Sequence, residues 1–392
     1  MNTSDFKNSS QQIPNRLLLG PGPSNTPPRV LTAMNQPMLG YLDPVFLELM
    51  DETMELLRGV FGTENQLTFP VSATGSAGME ATLCNLIEPG DEIIVCVNGF
   101  FGARIADIVK RCRGKLHVVE GDWGNIIDPE DVENKLNAVN AKIVCIVHAE
   151  TSTGVLQPLD DISAMAKRND ALLLVDCVTS LGGVPVNLDA SGIDVAYSCT
   201  QKCLGGPPGL SPVSFSDRAV EIIHKRKTEI QSFYLDMRLL SNYWGKERVY
   251  HHTAPISMNY AINEALKLVE EEGLTQRYHR HQLHSQALAA GLESIGIERI
   301  AQEGHRAPML TSVSIPDGVD DAGIRRRLLE EYNIEIGGGL GVFKGKAWRI
   351  GLMGESCRKE SVIRLLSALE DLLPDVTQLA AVEAAEKVYA AE

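Results

Sequence analysis

Residues Ala171–Asp176 read ALLLVD, and Tyr197–Gly209 read YSCTQKCLGGPPG. The first is an apolar run closed by a carboxylate. A run apolar on both faces predicts a strand covered on both sides, as in a parallel sheet held between helices. Outward from it the same texture recurs. Strands are predicted at Glu92–Val97, Leu116–Glu120, Lys142–Val147, Asp194–Cys199 and Leu210–Phe215. Amphipathic stretches at Pro44–Val60, Gly78–Leu86, Gly102–Arg111, Asp128–Val139 and Leu159–Arg168 alternate with them. That alternation predicts an α/β fold with a mostly parallel sheet.

From about residue 256 the pattern changes. Ile256–Glu272 and Arg277–Ser294 have helical periodicity, Thr311–Ile315 and Lys346–Ile350 read as strands, and Lys359–Leu373 as the last strong helix, before an Ala/Glu-rich helical end at Thr377–Glu392. A chain of 392 residues exceeds what one core usually serves. The division expected is an N-terminal arm (1–15), a large domain (16–270) and a smaller α/β domain (271–392).

The composition narrows function by exclusion. A net charge of −15 disfavours binding to phosphate backbones, and the apolar runs are too short to span a bilayer. Met1–Arg16 lacks the apolar core of a signal peptide, and the final Ala-Ala-Glu is no peroxisomal address. The eight cysteines form no Cys-x-x-Cys pair and mostly sit in apolar segments, as buried thiols of a reducing compartment do. A cytoplasmic location is expected.

Five segments could carry chemistry. Thr68–Leu86 runs from a strand through small residues into a helix, which suits an anion at a helix N-terminus and equally a capped turn. Asp176 stands at a strand's carboxyl end, where open α/β sheets bind ligands, or caps the following turn. Lys202 is expected to close the strand begun near Asp194, just before Gly-Gly-Pro-Pro-Gly, a placement suited to imine chemistry. An anion cradle, a strand-end carboxylate and a lysine are the three parts that pyridoxal phosphate chemistry needs. Arg349 interrupts the apolar strand KAWRIGLMG; it fits a carboxylate substrate bound through two parallel hydrogen bonds, or a structural ion pair. His251 and His252, adjacent on an extended segment, should point apart and chelate poorly, while His279, His281 and His284 read as a solvated helix face. No metal is needed.

At these residues the sequence resembles the alanine–glyoxylate and serine–pyruvate aminotransferases, class V members of the fold-type I pyridoxal phosphate enzymes. The matching stretches are Leu17–Asn25 (LLLGPGPSN), Glu150–Leu159 (ETSTGVLQPL), Leu172–Gly183 (LLLVDCVTSLGG), Gln201–Lys202 with the following PPG, Ser232–Trp244 (SFYLDMRLLSNYW), Tyr250–Thr253 (YHHT), Glu335–Gly341 (EIGGGLG) and Arg349–Gly351 (RIG). The resemblance implies a large domain built on a seven-stranded, mostly parallel sheet and a smaller C-terminal domain. It implies that Lys202 bonds the cofactor's aldehyde and then moves the substrate's Cα proton, and that Asp176 pairs with the ring nitrogen. Thr74, Gly75, Ser76 and Gln201 would meet the phosphate, Thr151 the ring hydroxyl region, and Phe101 the ring face. Tyr250 and Thr253 would reach the neighbouring subunit's phosphate, making a homodimer with shared sites. Arg349 would clamp the α-carboxylate of a small amino acid or 2-keto acid, and the Gly20–Asn25 loop would close over it.

The implied reaction takes an amino group from alanine to glyoxylate, giving glycine and pyruvate, with serine as the alternative donor. Ser76 stands where some relatives carry His, and Phe101 where they carry Trp, which should weaken cofactor contacts without changing the reaction. Cysteine desulfurases share the fold class, but Cys199, Cys203 and Cys357 lie on no evident mobile loop. A non-catalytic fold member would be expected to lack Lys202, Asp176 or Arg349, and all three are present.

Overall fold

The structure, a computed structural model, describes residues 13–373 and 380–392; most of the expected N-terminal arm lies outside them. Seven strands form the main sheet: β1 (Leu67–Val71), β2 (Glu92–Val97), β3 (Lys115–Glu120), β4 (Ile143–Val147), β5 (Leu172–Asp176), β6 (Val195–Tyr197) and β7 (Ser211–Phe215). Their order is β1-β7-β6-β5-β4-β2-β3. The pairs from β6 through β3 are parallel, and only β7 runs antiparallel to its neighbours.

The two-residue period of a strand divides each apolar run between two cores. Ile93, Val95, Cys145, Leu172 and Leu174 enter one layer, while Ile94, Cys96, Val144, Leu173 and Val175 enter the other. Each such aliphatic side chain contributes about 1.5–3 kcal/mol on burial, so an apolar run with no polar alternation is what this position in the sheet requires.

Four helices matter for the site and its support: α1 (Gly75–Leu86), α2 (Phe100–Arg111), α3 (Ile256–Glu272) and α4 (Leu274–Ser294). Glycine lets α1 lie close on the sheet, since a Cβ at Gly78 would fall 2.0 Å from Ser211 Oγ. Beyond α4 lies a three-stranded antiparallel sheet, β8 (Leu310–Ser314), β9 (Gly337–Gly338) and β10 (Ala347–Gly351), ordered β8-β10-β9. Its core gathers Val313, Trp348, Ile350, Leu288, Leu292, Leu366 and Leu369 together with Leu19. The chain reaches this core at its start because Leu17–Leu18 pairs in parallel with Ile334–Glu335. No helix among the described residues is long and apolar enough to cross a membrane.

Candidate active site

Strands β5 and β6 end side by side, with Asp176 in register with Tyr197. Register partners on neighbouring strands face the same way, so the Tyr197 hydroxyl donates to Asp176 Oδ2 at 2.7 Å. The Val178 amide donates to Oδ1 at 2.8 Å. Burial pushes the Asp176 carboxyl up to about 6, and these two hydrogen bonds pull it back towards ionisation.

Lys202 does not close its strand, as the sequence reading expects. Strand β6 stops at Tyr197, and the chain continues beside Leu210–Pro212 through Ser198 N to Pro212 O (2.8 Å) and Thr200 N to Leu210 O (3.3 Å). The Ser198 and Thr200 hydroxyls then donate to the carbonyls of Cys177 and Pro207, and the chain turns at Gln201. This turn carries Lys202 to the mouth of the sheet. Its carbonyl accepts from Ser24 Oγ at 3.1 Å and from Gly205 N at 3.0 Å, and its ammonium donates to Pro21 O. Burial holds its pKa below the usual lysine value, which favours a neutral, nucleophilic amine. Gly22 makes room for it: at φ +114°, a Cβ there would lie 2.6 Å from Lys202 Cε.

Thr74, Gly75 and Ser76 form the start of α1, whose first amides have no intrahelical acceptor. With Asp176, Lys202, Gln201, Phe101, Thr151, Arg349 and the Pro21–Pro23 loop they line one cavity of about 360 Å³. Gln201 Oε1, an acceptor, is buried with no partner. A larger cavity of about 720 Å³ lies beside Pro44–Phe61 and α3 and contains none of these groups.

Arg349 enters from β10. Its Nε donates to Gly338 O at 2.7 Å and its Nη1 to Thr151 O at 3.4 Å, and it makes no ion pair among the described residues. Burial lowers it to about 10, with Glu150's charge opposing, so it stays cationic and unneutralised at neutral pH. Glu150, to which the sequence reading gave no role, is buried. It accepts from Ser152 N (3.0 Å), Ser152 Oγ (2.7 Å) and Phe101 N (3.1 Å). It therefore fixes the first turn of α2 and the Phe101 backbone. Tyr197 and Arg104 were also missed; only the strand register could have signalled Tyr197.

Tyr250 and Thr253 lie outside this cavity and are exposed. Between them, His251 and His252 do not point apart. Their Nδ1 atoms are 2.9 Å apart, His252 Nε2 is 2.7 Å from Ser72 Oγ, and His251 Nε2 is 3.1 Å from Phe233 O. A carbonyl only accepts, so His251 donates from Nε2, His252 donates to His251, and Ser72 donates to His252. The segment bends because these bonds outweigh the alternation of an extended chain. His281 and His284, expected in solvent, are buried; His281 Nδ1 lies 2.8 Å from Arg277 O and its Nε2 3.3 Å from Gly354 N.

The three cysteines considered as nucleophiles, Cys199, Cys203 and Cys357, are buried, and burial pushes each thiol up to about 12. Thiols so placed are poor nucleophiles.

Residues 16–360 match the family described as Aminotransferase class-V. The chain is 39% identical to a (S)-ureidoglycine–glyoxylate transaminase of Bacillus subtilis (strain 168), over 96% of this chain and 95% of that one. It is 42% identical to an alanine–glyoxylate aminotransferase of Felis catus, over 92% and 88%. The crystal structure of an alanine–glyoxylate aminotransferase from Nostoc sp. superposes with a TM-score of 0.93 at 50% identity, over 95% of this chain and 99% of that one. A cysteine desulfurase from Thermococcus onnurineus, 17% identical with a TM-score of 0.73, shares the fold alone.

Proposed function

The chain belongs to the class-V aminotransferases, enzymes that carry pyridoxal phosphate, and from that premise we propose that it moves an amino group from a small amino acid, alanine first, to glyoxylate. The products are glycine and a 2-keto acid. The observation that supports this is the convergence of Lys202, Asp176, Arg349 and the α1 N-terminus on one cavity. Glyoxylate is the acceptor that the Bacillus and Felis relatives have in common by name.

The residues fit the cofactor. The first turn of α1 suits its phosphate, Gln201 lines the same cavity and would offer that phosphate its amide N–H, and Asp176 offers a buried anion to a protonated ring nitrogen. Bound there, the cofactor supplies an electron-withdrawing ring that stabilises negative charge at the substrate's Cα. Lys202 would hold it through its amine and, as a free amine, would serve as the general base for the Cα proton. Arg349 clamps the α-carboxylate in a bidentate pair, and a single such guanidinium on the carboxylate side suits alanine or serine better than aspartate. The Gly20–Asn25 loop, tied to the lysine turn through Ser24 N to Gln201 O at 2.9 Å, excludes water.

The exposed Tyr250 and Thr253 support a homodimer in which each subunit completes its neighbour's phosphate site. A cytoplasmic location accords with eight unpaired cysteines. Half-reaction kinetics test the assignment. Alanine, serine, (S)-ureidoglycine and aspartate are offered as donors, then glyoxylate and pyruvate as acceptors. Alanine with glyoxylate should give the highest kcat/KM, and serine in the lead would move the assignment to the alternative donor. Failure of every small donor, or sulfide released from cysteine, would refute it.

A further inference from the structure

The charged residues lining the cavity are Asp176, Lys202, Arg349 and Arg104, and the proposed chemistry uses only the first three. Arg104 lies one turn into α2. Its Nη1 donates to Ser76 Oγ at 3.3 Å, and its guanidinium carbon sits 5.1 Å from the Phe100 ring centroid and 5.0 Å from that of Phe101. Two ring faces within about 6 Å hold a guanidinium without neutralising it. Among the described residues it makes no ion pair, so with Arg349 the cavity wall carries two guanidinium cations that no side chain pairs, against the one carboxylate of Asp176.

Two ligand charges need that excess. Arg349 is bonded to Gly338 and Thr151, on the side where a substrate carboxylate would sit. A phosphate at the start of α1 carries close to two negative charges, and a helix N-terminus supplies only about half a positive charge. The remaining cation of the cavity is bonded to the first turn of that same helix.

We propose that Arg104 is a ligand of the cofactor's phosphate, reaching it beside Ser76 and supplying the charge that the helix end alone does not. The assignment rests on the aminotransferase reading of the site. By bonding to the arginine, the Ser76 hydroxyl accepts from it and keeps its own proton for a phosphate oxygen. The two phenylalanines hold the guanidinium, so Phe101 serves both the ring face and the arginine.

The competing source of negative charge is a second carboxylate on the substrate, and binding measurements separate the two. Cofactor-free wild-type, Arg104→Gln and Arg104→Lys proteins are titrated with pyridoxal phosphate and with pyridoxal, which lacks the phosphate. Loss of one charge-assisted hydrogen bond should weaken pyridoxal phosphate binding about 10- to 100-fold in Arg104→Gln. Pyridoxal affinity should stay unchanged, and Arg104→Lys should fall between. Equal losses for both ligands would make Arg104 a packing residue and overturn the proposal. So would intact cofactor affinity combined with altered KM for 2-oxoglutarate relative to glyoxylate, which would assign Arg104 to the substrate. The readout is binding rather than turnover, so a wild-type protein that ignores glyoxylate counts against the substrate reading alone.

Discussion

Tyr197→Phe removes a single oxygen from a side chain with no solvent exposure, and its effect can be worked from one hydrogen bond. The hydroxyl donates to Asp176 Oδ2 at 2.7 Å, leaving Val178 N as the other donor to that carboxylate. A hydrogen bond to a charged group is worth about 1.5–3 kcal/mol, and one pKa unit corresponds to about 1.4 kcal/mol. The neutral acid loses only about 1 kcal/mol, so the Asp176 carboxyl, pushed up to about 6 by burial, should rise by the difference, about half a unit to one and a half units. In the cofactor-free protein at neutral pH a much larger fraction of it is then protonated. The sign for stability follows from linkage. Burial raises Asp176 above its unfolded value, so its contribution is whole below about pH 4 and is lost as pH climbs through the folded pKa. In the variant that loss is larger and extends to about pH 7.5. Near pH 5 the variant lacks only a bond to a neutral acid, about 1 kcal/mol, whereas above about pH 8 it lacks one to a carboxylate. Thermal unfolding of both cofactor-free proteins across this range should show a Tm difference that widens with pH. Carbon-13 spectra of labelled aspartate should place the Asp176 titration higher. A pH-independent Tm difference, or an unmoved titration, would refute the reasoning.

Lys202→Ala should abolish both the visible absorption of bound cofactor and transamination; near-normal turnover would rule out the lysine's role. Arg349→Gln should lower kcat/KM for alanine about 10- to 100-fold through loss of the charge-assisted pair, while leaving pyridoxal phosphate affinity intact. Gly22→Ala sets a Cβ against Lys202 Cε at φ +114°; it should cost more than about 1 kcal/mol of stability and slow the half-reaction, and a fully active, equally stable variant would contradict the close packing. Arg277→Met leaves Glu272 with Arg280 alone and frees Cys203 O beside the lysine. Glu272 stays paired with Arg280, so the cost is chiefly that of the unsatisfied Cys203 carbonyl, about 1–3 kcal/mol; Tm should fall by a few degrees, and an unchanged Tm would make the Arg277 bonds incidental.

Runs apolar on both faces could be read directly as strands, because strand identity depends on composition over five or six consecutive residues. Glu92–Val97 is a strand from end to end as the sequence predicts, and Ile256–Glu272 a helix to the residue. The reading failed where side chains rather than periodicity shape the backbone. The strand carrying Tyr197 stops five residues before Lys202 because beyond it the chain keeps a backbone partner on one side only, through Ser198 N to Pro212 O and Thr200 N to Leu210 O, while on the other side the Ser198 hydroxyl donates to the Cys177 carbonyl. Nothing in YSCTQK distinguishes a strand ending at the lysine from one ending at the tyrosine.

The site divides along the same physical line. Asp176, Lys202 and Arg349 were legible because each is a charge in an apolar or turn context, where an unpaired charge needs a ligand. Tyr197, Glu150 and Arg104 act through partners 21, 49 and 28 residues away in sequence, and no local pattern encodes a contact made by sheet register or helix approach. Glu150 shows what was lost. It is a buried acid whose pKa burial raises, yet four donors from Ser152 and the start of α2 converge on it. Its charge opposes the lowering of the Arg349 pKa without forming an ion pair, and the guanidinium, bonded through Nε and Nη1 to two carbonyls, keeps Nη2 for a further acceptor. An acid directly paired with Arg349 would occupy the nitrogens proposed to bind a substrate carboxylate; Glu150, committed to Ser152 and the start of α2, does not. For a cavity that must bind a phosphate, a ring and a small anion in turn, the placement of that acid matters as much as the three residues that read as chemistry.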